Sequence, residues 1–474
     1  MRNQLWVRRV SLAAASAFLI MGYGTPTLAA SKTTTAAKVT VISSKIESTV
    51  APTALGMNVA TWDPFLYSKA VPARLQSLGI QLLRWPGGSF SDTYHWATQP
   101  GALSQFGQLM HHVHSGGIVT VNYGTGTPSE AAAEVRYANV THHYGIKYWE
   151  IGNEVYGDGA YQNVTWEANV RPNKGPAAYA RNVLKFARAM RAVDPNIKIG
   201  VVQTVPGVWP SGIPPYWDRT VLPIVGKAIN FVVLHWYPQN PGQENDQTLL
   251  QDPNAIPGYM STMKQYLRQY AGSNAKHIQI LVDETNNVSS QPDKQTVSLV
   301  NALFLAKDYN TWLENGAANV SWWDLHNSRV NAADESSSLY GTATYGDYGV
   351  LSVGAPGEPA LNRPFPAYFG YRLVHFLVAP KDQYVASSSN QPLVSSYAVK
   401  GVQGTMQLML INTSRSATYQ ITYQGLKGWL GAPATVRFYG MGSSQLATRF
   451  SHFTGQIKIP PYSITEVTLA RPIK

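Results

Sequence analysis

From Leu55 onward the chain alternates between two hydrophobic patterns. Short continuous apolar runs are each followed by a longer stretch in which apolar residues recur every three or four positions. The runs are Leu55 to Ala60, Ile80 to Trp85, Gly117 to Tyr123, Ile146 to Ile151, Ile197 to Thr204, Ile229 to Trp236, Ile278 to Val282 and Asn319 to Trp323. A short run without polar alternation is the pattern of a strand buried on both faces. The intervening stretches carry the helical period, most clearly Ala177 to Val193 and Thr296 to Trp312. Strand then helix, repeated eight times, predicts an α/β fold, a (β/α)8 TIM barrel over residues 51–379 that closes on a last helix, Pro366 to Val378.

The pattern changes at about Lys381. Short segments such as Met406 to Ile411 and Thr418 to Tyr423 alternate apolar and polar positions between Gly, Ser and Asn turns, which predicts a C-terminal antiparallel β-sandwich domain over 380–474. The early segment Lys38 to Ile46 shares this alternation and has no place among the eight runs. A strand within 31–50 is therefore expected to join the C-terminal domain.

Residues 1–30 stand apart. Arg2, Arg8 and Arg9 precede the apolar stretch Val10 to Met21, and Thr27-Leu28-Ala29-Ala30 offers small residues for cleavage. This is the layout of a signal peptide, and the apolar run is shorter than the roughly 20 residues a membrane span needs. The expectation is a secreted, extracellular protein with no membrane contact once the signal is cleaved. Zero cysteines leave an exported chain without disulfides, so its stability must come from the core. The formal charge is +11, yet the basic residues are scattered rather than clustered, so no nucleic-acid partner is expected. Only 13% of residues are charged, which suits a secreted protein working in acid. The sequence leaves the oligomeric state open.

Against this frame two of the apolar runs end abruptly in glutamate: Tyr148-Trp149-Glu150-Ile151-Gly152-Asn153-Glu154 at the fourth, and Ile280-Leu281-Val282-Asp283-Glu284-Thr285-Asn286 at the seventh. In a parallel barrel the chemistry sits where the strands stop, at the C-terminal face. Two carboxyls there are what glycoside hydrolysis needs, one protonated to assist the leaving oxygen and one ionised to attack or stabilise the anomeric carbon. Glu154 fits the first role and Glu284 the second. A nearby arginine such as Arg84 would keep Glu284 ionised.

Other strand ends supply candidates for binding a carbohydrate substrate. Arg84-Trp85-Pro86-Gly87-Gly88-Ser89-Phe90 closes the second run, where an arginine can grip a carboxylate and the glycines admit a ligand close to the backbone. Asn153 precedes the first glutamate. His235 and Tyr237 end the sixth run on one side at a spacing of two, and Trp323 ends the eighth as a flat platform for a sugar ring. Two long loops carry aromatic residues among Gly, Asn and Ser. Tyr156 to Pro176 contains Tyr161 and Trp166, and Asn331 to Arg363 contains Tyr340, Tyr345 and Tyr348. Both are expected to shape subsites beyond the scissile bond. His111, His112 and His114 fall in a helical segment away from the catalytic face, so no metal is expected, and no cofactor motif or G-x-S-x-G elbow is present.

These motifs resemble the clan A glycoside hydrolases, whose retaining members use glutamates on strands four and seven as acid/base and nucleophile. Leu83 to Phe90, the following Tyr94-His95-Trp96, and His235-Trp236-Tyr237 are most similar to the family 51 α-L-arabinofuranosidases. The resemblance covers most of Leu55 to Val378, and the appended β domain fits that architecture. It implies a retaining glycosidase acting by double displacement on plant or microbial polysaccharide, with arabinofuranosides as leading substrates. Endo-acting glucanases and xylanases, xylosidases, glucuronidases and transglycosylases share the two glutamates, and a non-catalytic carbohydrate-binding protein is the remaining alternative. Two positions depart from the family pattern. Ser89 stands where asparagine is usual and Thr285 where tryptophan is usual, both at positions that border the sugar in the family.

Overall fold

In the computed structural model, residues 34–161 and 164–470 are described; the segment read as a signal peptide lies outside them. The chain opens with β1 (Thr34–Thr49), a long strand outside the barrel. Eight parallel strands then close on one another: β2 (Leu55–Asn58), β3 (Leu82–Trp85), β4 (Gly116–Val121), β5 (Tyr148–Ile151), β6 (Lys198–Val202), β7 (Phe231–Trp236), β8 (Gln279–Thr285) and β9 (Asn319–Trp322). Closure is completed by β2 against β9, from Leu55 opposite Val320 to Met57 opposite Trp322. The expected (β/α)8 barrel is therefore the fold. Its strands are near-wholly buried because helices cover the outside and side chains fill the inside.

The helices are α1 (Val71–Ser77), α2 (Pro100–Val113), α3 (Pro128–Val135), α4 (Pro176–Arg191), α5 (Trp217–Val225), α6 (Asp246–Leu249), α7 (Ile256–Ala271), α8 (Leu299–Glu314) and α9 (Pro366–Leu377). Most of the longer ones open with a proline in the first two positions, where its missing N–H costs nothing and its fixed φ suits the first turn. Helix α8 is buried on nearly every side, because it lies between the barrel and the C-terminal domain. Its Asn310 accepts from the Tyr384 hydroxyl, and Thr311 bonds to Tyr397 at 2.7 Å.

After the two-residue ribbon β10 (Val330–Asn331) and β11 (Tyr345–Gly346), the C-terminal region contributes β12 (Gln383–Ser389), β13 (Val394–Lys400), β14 (Met406–Asn412), β15 (Thr418–Gln424), β16 (Pro433–Gly440), β17 (Ala447–His452), β18 (Gln456–Ile459) and β19 (Ser463–Leu469). With β1 they form one nine-stranded sheet in the order β17-β16-β19-β14-β13-β12-β1-β15-β18. The sheet curls over an apolar cluster of its own, in which Val39, Ile421 and Ile459 from one end meet Leu410, Val436 and Val467 from the other. Strand β1 pairs antiparallel with β12 and parallel with β15, so the sheet is antiparallel but for that one ladder.

Candidate active site

The site is assembled at the C-terminal ends of β3, β5, β7 and β8, and a single guanidinium organises it. Arg84, 1% exposed, points into the barrel from β3. Its Nε lies 2.9 Å from Glu150 Oε2 and 3.3 Å from Asp283 Oδ2, and its Nη1 lies 2.7 Å from Glu284 Oε1. Nη1 also donates to Asn58 Oδ1 at 3.0 Å, and Nη2 to Asn153 Oδ1 at 2.7 Å. A buried cation so fully partnered offsets its own desolvation, whereas each carboxylate around it would be costly alone.

Consecutive acids can share this cation because β8 is bulged. Leu234 faces Val282, but the next pair along is His235 with Glu284, so Asp283 is an extra residue in the ladder. Such a bulge re-aims side chains. Here it lets both Asp283 and Glu284 reach Arg84 and His235.

His235 spans the two glutamates. Its Nδ1 is 3.0 Å from Glu154 Oε1 and 3.5 Å from Glu284 Oε2, while Nε2 is 3.2 Å from Asp283 Oδ1. One ligand atom from each of Glu154, His235 and Glu284 lies within 4.8 Å of the others. Burial works against charging the imidazole, but the charge of Glu284 and the bonds to Asp283 and Glu154 outweigh it and raise its pKa well above the ordinary histidine value. A protonated histidine in this position bridges the carboxylates as a cation. The groups Glu154–His235–Glu284 and Glu150–His235–Asp283 also have the composition of metal ligands, and a protonated His235 ties their carboxylates together as ion pairs.

Glu284 is fixed at both oxygens, Oε1 by Arg84 and Oε2 by the Tyr237 hydroxyl at 2.8 Å. Glu154 follows Gly152, whose φ of 76° turns the chain out of β5. Its carboxylate accepts from the Tyr156 hydroxyl at 3.0 Å and from Trp166 Nε1 at 2.7 Å. Burial pushes this carboxyl up, but the hydrogen bond and charge of His235, with Trp166 and Tyr156 donating as well, leave it below the usual carboxylate range. The donors therefore favour its ionised form at rest, opposite to the protonated form expected from the sequence.

Of the binding residues read from the sequence, Arg84, Asn153, His235 and Tyr237 all meet the two glutamates or their immediate partners. Trp323 stands over Gly88, where an added Cβ would lie 2.8 Å from the indole, so the glycine is what admits the ring. Its neighbour Trp322 is fully buried core. Ser89 donates to Glu167 Oε1 at 2.6 Å, and Asn153 Nδ2 donates to the same oxygen at 2.7 Å. Two expectations change. Trp166 touches Glu154 itself rather than a remote subsite. Thr285 does not border the sugar, since it is buried with its hydroxyl directed to Asp308 on α8. In the second long loop, Tyr340 packs on Tyr462 and Tyr345 on Phe365, while the Tyr348 hydroxyl donates to the Val288 carbonyl. These rings support the loop more than they line an open cleft.

The sequence reading missed Glu150, Asp283, Asn58, Tyr156 and Glu167. The first two had a signal, since an acid inside a continuous apolar run must find a buried partner. Glu167 had none. It is 5% exposed, and burial first, then the charges of Asp92 and Glu154, raise its carboxyl well above the usual range. Among the described residues, exposed aromatics stand around the site at Trp62, Phe90, Trp166 and Trp209, the last two 5.6 Å apart between ring centroids. A groove of 990 Å³ lined by Val208, Asn245, Gln247, Gln251 and Tyr259 continues from Tyr237.

No family model matches the chain. An alignment 169 residues long that covers 28% of this chain and 32% of the relative is 29% identical to the probable α-L-arabinofuranosidase C of Aspergillus fumigatus. An alignment 216 residues long that covers 38% of this chain and 40% of the relative is 24% identical to the intracellular exo-α-(1→5)-L-arabinofuranosidase of Acetivibrio thermocellus. The chain thus matches only about a third of the length of these curated relatives. Among solved structures, an α-L-arabinofuranosidase from Thermotoga maritima in complex with arabinose superposes with a TM-score of 0.71 at 16% identity, over 92% of this chain and 100% of that one. A xyloglucanase of glycoside hydrolase family 44 from Paenibacillus polymyxa does so with 0.65 at 12% identity, over 92% and 99%. Over its matched part the chain is similar in sequence to α-L-arabinofuranosidases, and it shares the fold of solved family 51 arabinofuranosidases.

Proposed function

We propose that this protein is a secreted retaining glycoside hydrolase of plant or microbial polysaccharide, with α-L-arabinofuranosides as its substrates. The observation that carries the reading is the bridging of Glu154 and Glu284 by His235, with oxygens of both carboxyls inside a 4.8 Å group. Oxygens so close support the roughly 5–5.5 Å separation of a retaining pair over the about 6.5–9.5 Å of an inverting one. The secretion signal rests on residues 1–30 alone.

The chemistry follows from the partners. Glu284, held by Arg84 and Tyr237, attacks the anomeric carbon as the bond from that carbon to the leaving oxygen breaks. Glu154 gives its proton to that oxygen. In the second step Glu154, again a carboxylate, takes a proton from water as the water oxygen displaces Glu284 from the sugar. The donors on Glu154 suit this second step, in which it acts as a base. For the first step the proton must reach Glu154 against them, and protonated His235, 3.0 Å away, is the adjacent store.

A second reading is supported by the groove that continues from Tyr237 and by the exposed rings of Trp62, Trp166 and Trp209. Rings that stack on sugars beyond the cleaved bond fit endo action on a glucan or xylan backbone. A panel of chromogenic arabinofuranoside, xyloside, glucoside and glucuronide beside polymeric glucan and xylan tests both. Turnover of arabinofuranoside alone supports the first, turnover of polymer alone supports the second, and no turnover of any glycoside overturns the enzyme reading.

A further inference from the structure

Three loops rise from neighbouring strands on the catalytic face, after β7, β8 and β9, and they are cross-linked by polar side chains. Asp246 accepts from Gln295 Nε2 at 2.9 Å and from the backbone N–H of Tyr340 at 2.7 Å, tying all three together. Gln295 Oε1 also accepts from Gln239 at 2.7 Å and from Asn287 at 2.9 Å, and Lys294 donates to the Glu335 carbonyl at 3.1 Å. The loops are therefore held in register before any ligand arrives.

Within this frame three carboxylates, one from each loop, turn toward one point. Glu244, Asp293 and Asp334 each offer an oxygen within 4.8 Å of the other two. Glu244 is 6% exposed, and neither of its oxygens has a hydrogen-bond partner of good geometry. Asp293 is fully buried; Oδ1 accepts from the Gln295 N–H at 2.9 Å, and Oδ2 has no partner. Among the described residues no lysine, arginine or histidine forms a salt bridge with any of the three, and the neighbouring Lys294 turns away to Glu335. Asp334 is half-buried, and its Oδ1 accepts from the Ser336 N–H at 2.8 Å. The three converging carboxylates, two of them with buried, unpartnered oxygens, are an unbalanced charge that a cation would neutralise.

We propose that Glu244, Asp293 and Asp334 form a binding site for one calcium ion that clasps the three loops. The ligands are all carboxylate oxygens, with no imidazole or thiolate, which selects a hard cation over zinc or copper. The three oxygens lie within 4.8 Å of one another, close enough for one calcium ion bound at about 2.3–2.6 Å to reach all three, and a cage of protein carboxylates suits calcium, whereas magnesium usually keeps several of its waters. Backbone carbonyls and water complete the shell. The first of these loops starts at Tyr237, which fixes Glu284, so the ion would steady one wall of the active site. This departs from the sequence expectation of no metal, because the three acids lie far apart in the chain and no local motif joins them.

The test uses the full chain freed of metal with EDTA and titrated with calcium chloride at pH 8 by calorimetry, alongside thermal unfolding. Saturable binding of one ion per chain is expected, with a rise in Tm and at least tenfold weaker binding of magnesium. Asp293→Asn and Asp334→Asn should each abolish both responses, and neither should melt below the wild type in EDTA, since each removes an unpaired charge. If Asp293→Asn does not fold, the half-buried position of Asp334 leaves the second variant to decide. No binding heat and no Tm response in the wild type would overturn the site, as would variants that respond like the wild type. The former result would mean that the acids share protons instead. None of these readouts depends on glycosidase activity.

Discussion

The indole Nε1 of Trp166 donates to Oε2 of Glu154 at 2.7 Å. This loop tryptophan therefore acts on the carboxyl proposed to protonate the leaving group. Trp166→Phe keeps the ring and removes the donor. The loss of one hydrogen bond to a charged group is worth about 1.5–3 kcal/mol, or roughly 10- to 150-fold in kcat/KM. The loss should be the same on a small aryl glycoside as on an oligosaccharide, and a loss confined to the longer substrate would return Trp166 to a distant subsite. Removing the donor also lets the Glu154 pKa rise, so the alkaline limb of the kcat/KM profile should move to higher pH.

Role assignment for the two glutamates is separable by rescue. Glu284→Gly should abolish turnover, and azide should restore it with inverted anomeric configuration, because the small anion occupies the vacated space and attacks from the same side. Glu154→Ala should keep more activity on substrates whose leaving groups need little proton assistance. Azide rescue of Glu154→Ala to an inverted product would exchange the roles.

How the sequence carried this site depends on the kind of signal each residue leaves. Glu154 and Glu284 were legible because an ionisable residue at the end of a continuous apolar run has few structural uses. The barrel was legible from the same runs. The bulge at Asp283 was not, since a single extra residue in a strand leaves no mark on hydrophobic pattern, and without it the tie from Asp283 to both Arg84 and His235 could not be foreseen. Glu167 illustrates a second limit. It lies in a polar loop, where burial depends on how the loop folds back onto Ser89 and Asn153. Thr285 was misplaced for a related reason, because a family position predicts a neighbour only while the strand keeps its register.

Arg84 offers a stability test of the charge layer. Arg84→Met is close in volume but leaves Glu150, Asp283 and Glu284 without their shared cation. Removing one partner from a buried ionic network costs about 3–5 kcal/mol. Denaturant unfolding at neutral pH should show a loss of that order, and activity should fall with it. The deficit should shrink at pH 5, where carboxyls left without the arginine can take up protons. A pH-independent deficit would mean that Arg84 contributes by packing alone.

The buried carboxyls also set the direction of the whole protein's pH dependence. Burial raises Asp92 to about 7, Asp218 to about 6 and Glu466 to about 7, in each case against hydrogen bonds that pull the other way. Unfolded, such groups titrate near 4. Between these values the folded chain holds protons that the unfolded chain has released, so stability is fully present below about pH 4 and is lost as pH rises through 6 to 7. His235, also raised in the fold, adds a loss of the same sign at higher pH. Glu154, lowered in the fold, works oppositely and only at the acid end, where its contribution falls away as it protonates. The raised carboxyls outnumber it, so Tm measured by calorimetry should be higher at pH 5 than at pH 8. This accords with the low charge content, since a chain with 13% charged residues gives up few surface ion pairs in acid. A Tm that rises from pH 5 to pH 8 would mean that ion pairs or local relaxation around these carboxyls outweigh their burial.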